Sequence, residues 1–192
     1  MILYSRATLP TTLVVSLDEA KSWLKLDGTT EDTLLTSAIL AATAECEAYA
    51  GLSFITRSRI VKITSFTGKD LILPYGPVTA ITSVTYSDSD DVSQTVPGAD
   101  YTLDTQSGLS KLRVTESWPT TNLVLNNVTA TYVAGYANAA AVPEIIKLAI
   151  KKRLAFHYEH RGDEGSKSDE WMDLLDTVKV YWSAELCDYS YF

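Results

Sequence analysis

Between residues 128 and 160 the chain changes its hydrophobic period once, and that switch limits the folds open to it. In V-T-A-T-Y-V-A, Val128, Ala130 and Tyr132 alternate with Thr129, Thr131 and Val133, the two-residue period of a strand with two unlike faces. Gly135 and Tyr136 end the strand. Pro143 then opens a helix, because its fixed φ suits a first turn and its missing N–H is not needed there. Ile145, Ile146, Leu148, Ala149, Ile150, Leu154 and Ala155 give that helix a broad apolar stripe. Lys147, Lys151 and Lys152 are left for an opposite, wet face. What precedes this stretch must therefore supply both a β region and a helical half to pack against it.

The front of the chain supplies the helices. Residues 1–15, rich in Thr and Leu with Pro10, predict an extended arm. Ser16-Leu17-Asp18-Glu19 is a capping box, in which the serine accepts from the third helical N–H and the glutamate reaches back. A short helix to about Leu24 follows, with Ala20, Trp23 and Leu24 as its apolar side. After the loop Asp27-Gly28-Thr29-Thr30, Glu31 and Asp32 sit at the positive end of a second helix. Leu34, Leu35, Ala38, Ile39, Ala42, Cys46 and Tyr49 recur along it at three- and four-residue steps until Gly51, a natural C′ residue. Its alanines (Ala38, Ala41, Ala42, Ala44) make it slim.

From Leu52 to Val133 the chain is rich in Thr, Val, Ile, Tyr and Ser, with turn signals at intervals of about 8 to 12 residues. Strands are predicted at 54–66, 71–73, 78–86, 92–96, 101–103, 111–114 and 123–133. The polar run Thr56-Arg57-Ser58-Arg59 predicts a bulge in the first of them, or a strand shared by two sheets. Val78, Ala80, Thr82, Val84 and Tyr86 should share one face of the third. A last helix is expected over 168–185, with Trp171, Leu174, Leu175, Val178 and Trp182 buried. The predicted fold class is α+β: a helical bundle of two N-terminal and two C-terminal helices with an inserted antiparallel β module. It reads as a single domain over 1–192, helical at 16–51 and 143–185, with the β module at 52–135 and a tail at 186–192.

The formal net charge of −8 argues against a general nucleic-acid binder, which needs a basic surface. No part compensates: 1–50, 51–142 and 143–192 carry −4, −1 and −3. Nothing resembles a secretory signal or a membrane span. Cys46 and Cys187 read as small buried hydrophobes rather than a disulfide or a metal site. The richest polar cluster is His157-Tyr158-Glu159-His160 with Asp163 and Glu164 after it. His157 and His160 could share a metal with Glu159 or Asp163, yet they lack H-E-x-x-H spacing, and a polar helix C-terminus is the plainer reading. There is no G-x-S-x-G elbow and no glycine-rich phosphate loop. Asp90-Asp91 sit in a hairpin turn, where solvation is the default over calcium. Lys147, Lys151, Lys152 and Arg153 form the densest basic patch, more readily a solvated face or intersubunit salt bridges than a phosphate track.

Several blocks together carry a family resemblance. They are V-S-L-D-E-A-K-S-W-L-K-L-D-G-T-T-E-D-T-L-L-T-S-A-I-L-A-A-T-A-E-C-E-A-Y-A-G, then L-P-Y-G-P-V-T-A-I-T-S-V-T-Y and D-Y-T-L-D-T-Q-S-G, then V-T-A-T-Y-V-A-G-Y followed by A-V-P-E-I-I-K-L-A-I. In order and spacing the chain resembles the head–tail connector (adaptor, or head-completion) proteins of tailed bacteriophages and gene transfer agents, from Val14 to about Arg161. It departs at Ser53, where a basic residue would be expected, and after Arg161.

The resemblance implies a structural virion protein rather than an enzyme, with no cofactor, catalytic residue or metal. It implies a self-assembled ring of about twelve copies under the portal protein at the head–tail junction, built in the host cytoplasm, with a tail or stopper protein docking below. DNA would pass through without specific binding, since about twelve acidic copies bring on the order of −100 charges that DNA does not adhere to. Trp182, Tyr189, Tyr191 and Phe192 are the candidate partner-binding residues, aromatic anchors that order on docking into the portal. Two other classes remain open on the residues alone. One is a β-rich ligand-binding module with helical flanks, for a carbohydrate or another surface; the other is a small metal-dependent hydrolase using His157 and His160.

Overall fold

The computed structural model describes residues 2–8 (2–6 as backbone), 12–105, 109–122, 124–160 and 169–179. They contain four α-helices and two antiparallel sheets, an α+β fold, arranged as two compact units. One unit comprises 10–55 and 136–179; the other is built on 56–135 with the first residues of the chain.

The helical unit holds α1 (Leu17–Leu24), α2 (Asp32–Ala50), α3 (Glu144–Glu159) and α4 (Glu170–Asp176). The capping box forms as the sequence predicts: Ser16 Oγ accepts from Glu19 N–H, and Glu19 Oε2 accepts from Ser16 N–H at 2.9 Å. The bond from the Ser16 backbone, and after it one from the Ser16 hydroxyl at 3.1 Å, hold the Glu19 carboxyl below its ordinary pKa. Gly51 closes α2 at φ +67°, a left-handed conformation that a Cβ would disfavour. The turn beyond it is fixed by Glu47, a buried glutamate whose Oε1 accepts from Phe54 N–H at 2.7 Å.

α3 touches α1, α2 and α4, so it has apolar neighbours on most of its circumference. Ile146, Ala149, Ile150 and Leu154 pack there with Leu35, Ile39, Ala42, Cys46, Trp171 and Leu175. This central position corrects the expectation of a wet lysine face: Lys147 is only 8% exposed. Its stem lies in the core while its amine reaches out to Glu144 at 2.6 Å, the behaviour of a long amphipathic side chain. Burial also pushes the Cys46 thiol up to about 12, so it is an inert apolar filler, as read from the sequence. The helix expected over 168–185 is corrected: α4 stops at Asp176, Thr177 and Val178 form a turn, and 168 and 180–185 lie outside the described residues.

The second unit carries a five-stranded sheet and a three-stranded sheet. The larger, in the order β1-β2-β8-β4-β5, is formed by β1 (Ile2–Ala7), β2 (Arg57–Ile63), β4 (Val78–Ser87), β5 (Ser93–Thr95) and β8 (Val128–Ala134). The smaller, in the order β3-β7-β6, is formed by β3 (Asp70–Ile72), β6 (Tyr101–Asp104) and β7 (Lys111–Val114). β8 runs between β2 and β4 and alternates as predicted, with Val128, Ala130, Tyr132 and Ala134 buried. Val61, Ile63, Val84, Leu71 and Leu112 join them, so one core is filled from both sheets. The Tyr132 hydroxyl donates to Pro74 O at 2.6 Å, and burial raises its pKa, keeping it a neutral donor.

Three expectations are corrected here. Residues 2–7 are a paired edge strand on β2 and not a free arm, because β2 would otherwise leave a row of backbone groups unpaired. β2 pairs with β8 in unbroken register from Arg57 to Ile63, so the polar run 56–59 makes no bulge. Arg59 is buried instead, its guanidinium 4.0 Å from the centre of the Tyr75 ring. The irregularities fall in β4, between Val78 and Ala80 and between Ile81 and Ser83, where β8 advances one residue for two. They break the strict alternation expected over 78–86: Val78 and Val84 are buried, Ala80 and Thr82 exposed.

β3 and β7 are joined at the surface by a fork: Arg113 Nε and Nη2 donate to Asp70 Oδ1 and Oδ2 at 2.7 and 2.8 Å, and Lys111 stands 3.3 Å away. Arg113 first and Lys111 second hold the Asp70 carboxyl down at about 2. A carboxylate whose folded pKa is depressed contributes stability above its unfolded value, and the contribution disappears as pH falls through the folded one. We expect the urea midpoint to drop between about pH 4 and about pH 2, with a smaller drop in Arg113→Ala. The Asp70 carboxyl resonance should titrate near 2 in the parent and closer to 4 in the variant.

Candidate interaction surfaces

The basic patch is spent inside the chain. Lys151 pairs with Glu19 of α1 at 3.8 Å, Lys152 with Glu170 of α4 at 2.7 Å, Lys147 with Glu144 of its own helix, and Arg153 with Glu45 of α2. The Arg153 guanidinium also lies 5.0 Å from the Phe156 ring and 5.3 Å from the Trp171 ring. Each of these four cations thus has an acid within its own chain, on α1, α2, α3 or α4. Lysine and arginine heads held this way do not form a track for phosphates.

The histidines part company. His157 Nε2 stands 3.1 Å from Glu45 Oε1, a close approach without hydrogen-bond alignment. His160 Nδ1 lies 3.1 Å from Phe156 O, and its ring stacks on Phe156 at 4.4 Å. One is aimed at α2 and the other at its own helix, so the two do not converge on a shared ion. Among the described residues no group of three His, Cys, Asp or Glu side chains is placed to hold a metal. Asp163 and Glu164 lie outside those residues. At the 88–92 hairpin, Asp88 Oδ1 accepts from Asp90 N–H and Val92 N–H, and its Oδ2 accepts from Gln94 Nε2 at 2.9 Å. That is an Asx turn, and Asp90 and Asp91 are its exposed tip.

What remains on the outside is apolar in two places. In the helical unit Trp23, Leu34 and Leu40 are exposed, although the sequence pattern placed Trp23 and Leu34 on inner faces. In the sheet unit the exposed large side chains are Val92, Val124 and Leu125. The latter stand at one end of the five-stranded sheet, because Asn127 clamps two segments to Ser87. Asn127 Oδ1 accepts from Ser87 N–H at 2.7 Å, and its Nδ2 donates to Ser87 O and to Asn122 O. No helix of the described residues is long and apolar enough to cross a membrane. The candidate anchors Trp182, Tyr189, Tyr191 and Phe192, with Cys187, lie outside the described residues.

Comparison with known proteins decides what such a chain is. The head completion protein family matches residues 13–169, most of the chain. The chain belongs to that family. Head completion proteins are structural components of the head–tail connector, which is what the blocks of sequence implied. Solved structures agree on the fold. A chain in the "Neck of empty GTA particle computed with C6 symmetry" is similar with a TM-score of 0.80 and 21% identity, over 93% of this chain and 96% of that one. A chain in the "Virion of native gene transfer agent (GTA) particle" gives 0.79 and 21% over the same shares. One in the "Neck of native GTA particle computed with C12 symmetry" gives 0.74 and 20%, over 92% and 96%. No curated protein matches the sequence.

As a head completion protein the chain departs from expectation at Ser53, and the structure gives the reason. Ser53 is fully buried, where a basic side chain would have to be taken out of water. The outward apolar positions were not found from the sequence. A signal was present in α2, which bears only three charges, Asp32, Glu45 and Glu47, and leaves apolar residues all round. If the Arg153 cluster holds α2, α3 and α4 together, Arg153→Ala should lower the unfolding free energy by about 1–3 kcal/mol in urea. Lys152→Ala, at a more exposed pair, should cost less than about 1 kcal/mol. Equal losses would contradict this ranking.

Proposed function

We propose that this head completion protein assembles as a closed ring of about twelve copies beneath the portal vertex, lengthens the DNA channel and presents the surface on which a tail or stopper protein docks. The reading is carried by the family match over 13–169. It is supported by the likeness to chains of GTA particle necks computed with C6 and C12 symmetry. The charge of the chain suits it. With Lys147, Lys151, Lys152 and Arg153 neutralised internally, a net −8 per copy leaves a ring that repels the DNA sliding through it. Its role is structural; nothing in the two histidines or in the Asp88 turn offers a reacting group.

The C-terminal aromatics complete the proposal. Trp182, Tyr189, Tyr191 and Phe192 are rigid, amphipathic side chains of the kind that dominate docking sites, and they are the proposed anchors on the portal.

Mixing the purified chain with its cognate portal and imaging the product tests this directly. The expected product is a portal crowned by one closed ring, and the same chain lacking 183–192 should fold but leave the portal bare. A portal that stays bare with the full-length chain would refute the ring. Unchanged binding by the shortened chain would refute the anchors alone.

A further inference from the structure

A cyclic ring needs two unlike faces on every subunit, one for each neighbour. Among the described residues the exposed large apolar side chains fall into two sets, one in each compact unit. Trp23 of the helical set lies on α1, while Leu34 and Leu40 lie on α2, which is apolar on its outer as well as its inner side. All three acids of α2 face its own chain: Asp32 pairs with Lys21, Glu45 with Arg153, and Glu47 accepts from Phe54 N–H. The outward face is Thr33, Leu34, Ser37, Leu40, Ala41, Ala44 and Ala48, with no charge on it. Even the Ser37 hydroxyl is occupied, donating to Thr33 O at 3.0 Å. Leu34 is 46% exposed and Leu40 41%. With alanines on one side of the leucines, the surface is shallow enough for a side chain to enter.

The sheet set is a knuckle. Val124 is 52% exposed and Leu125 71%, the most exposed large hydrophobic among the described residues. The residues that flank it are held, since Asn127 bonds to Ser87 and Asn122 N–H donates to Ser87 O at 3.1 Å. A held, outward-pointing leucine without charge is the complement of an uncharged helix face with small side chains.

We propose that the α2 face of one copy receives the Val124–Leu125 knuckle of the next, and that this is the repeating contact of the ring. The inference rests on the ring reading above and names its interface. Area points to a copy within a ring rather than to a free-standing partner. α2 is about 28 Å long, so a stripe about 10 Å wide offers roughly 300 Å², well under the roughly 800 Å² per partner of a stable pair. A contact that small persists when each copy is held on two sides and concentrated on a template. The purified chain is therefore monomeric, and the portal drives closure.

Two variant sets test the contact, each assembled on the cognate portal and counted by imaging. Leu40→Asp and Leu125→Asp lie at exposed positions and should fold as judged by circular dichroism, yet each should lower ring yield at least ten-fold. Parent-like yield from either one overturns the proposal. The second set joins Leu40→Cys and Leu125→Cys in a chain whose Cys187 is Ser, with the inert Cys46 retained. Mild oxidation of its rings should give a ladder of covalent multimers, absent from either single cysteine. Closed rings without a ladder would overturn the interface and leave the ring reading standing. A parent chain that forms no ring would instead overturn the reading itself.

Discussion

Three of the four cations on α3 tie it to the other helices, and much of the molecule's outer character follows from where they point. Lys147, Lys151, Lys152 and Arg153 reach acids on α3, α1, α4 and α2. Each pair is modest by itself, and those open to water are worth little. Arg153 differs, because its guanidinium is flanked by Phe156 and Trp171 while it pairs with Glu45. That arrangement consumes the charge of α2 on its inner side. With Glu45 and Glu47 turned inward and no cation on the helix, nothing charged is left to mark the outer face. An uncharged exterior on α2 is thus a consequence of how the interior is wired.

The sheet unit solves a different problem. Its larger sheet has β8 at the centre and needs its inner row to stay in register, since a one-residue slip would exchange faces. Tyr132 fixes that row, because its hydroxyl reaches Pro74 O and any slip would strand both groups. β4 carries two irregularities against β8, and β3 and β7 are fastened at the surface by Asp70 and Arg113. At the end of this sheet Asn127 substitutes its amide for strand pairing, bonding to both backbone groups of Ser87. A clamp of that kind presents a side chain at a fixed place, which a docking element requires.

Features set by neighbours in sequence were legible in it. The Ser16–Glu19 box, the stop at Gly51, the start at Pro143 and the alternation of β8 each depend on a few adjacent residues, and each is present. Features set by tertiary partners were not. Lys147 looked like a wet residue because periodicity does not count how many helices surround α3. Trp23 and Leu34 looked inward because an apolar residue at helical spacing reads as core. Arg59 looked like a break in a strand because its cover, Tyr75, lies far along the chain. The family itself was readable from blocks spread over the chain, whereas the outward faces were not, because α2 is apolar on both sides and its pattern has no direction.

In the proposed ring the α3 cations are spent inside each copy, and neighbouring copies meet through uncharged surface. Salt separates this from the alternative of subunits joined by ion pairs, since screening weakens exposed charge contacts and spares apolar ones. The direct measurement is the yield of rings on portal particles already bound by the chain, as sodium chloride rises from about 50 to about 500 mM. For uncharged contacts the yield should hold steady or rise across that range; a steep fall would mean that the copies are joined by ion pairs.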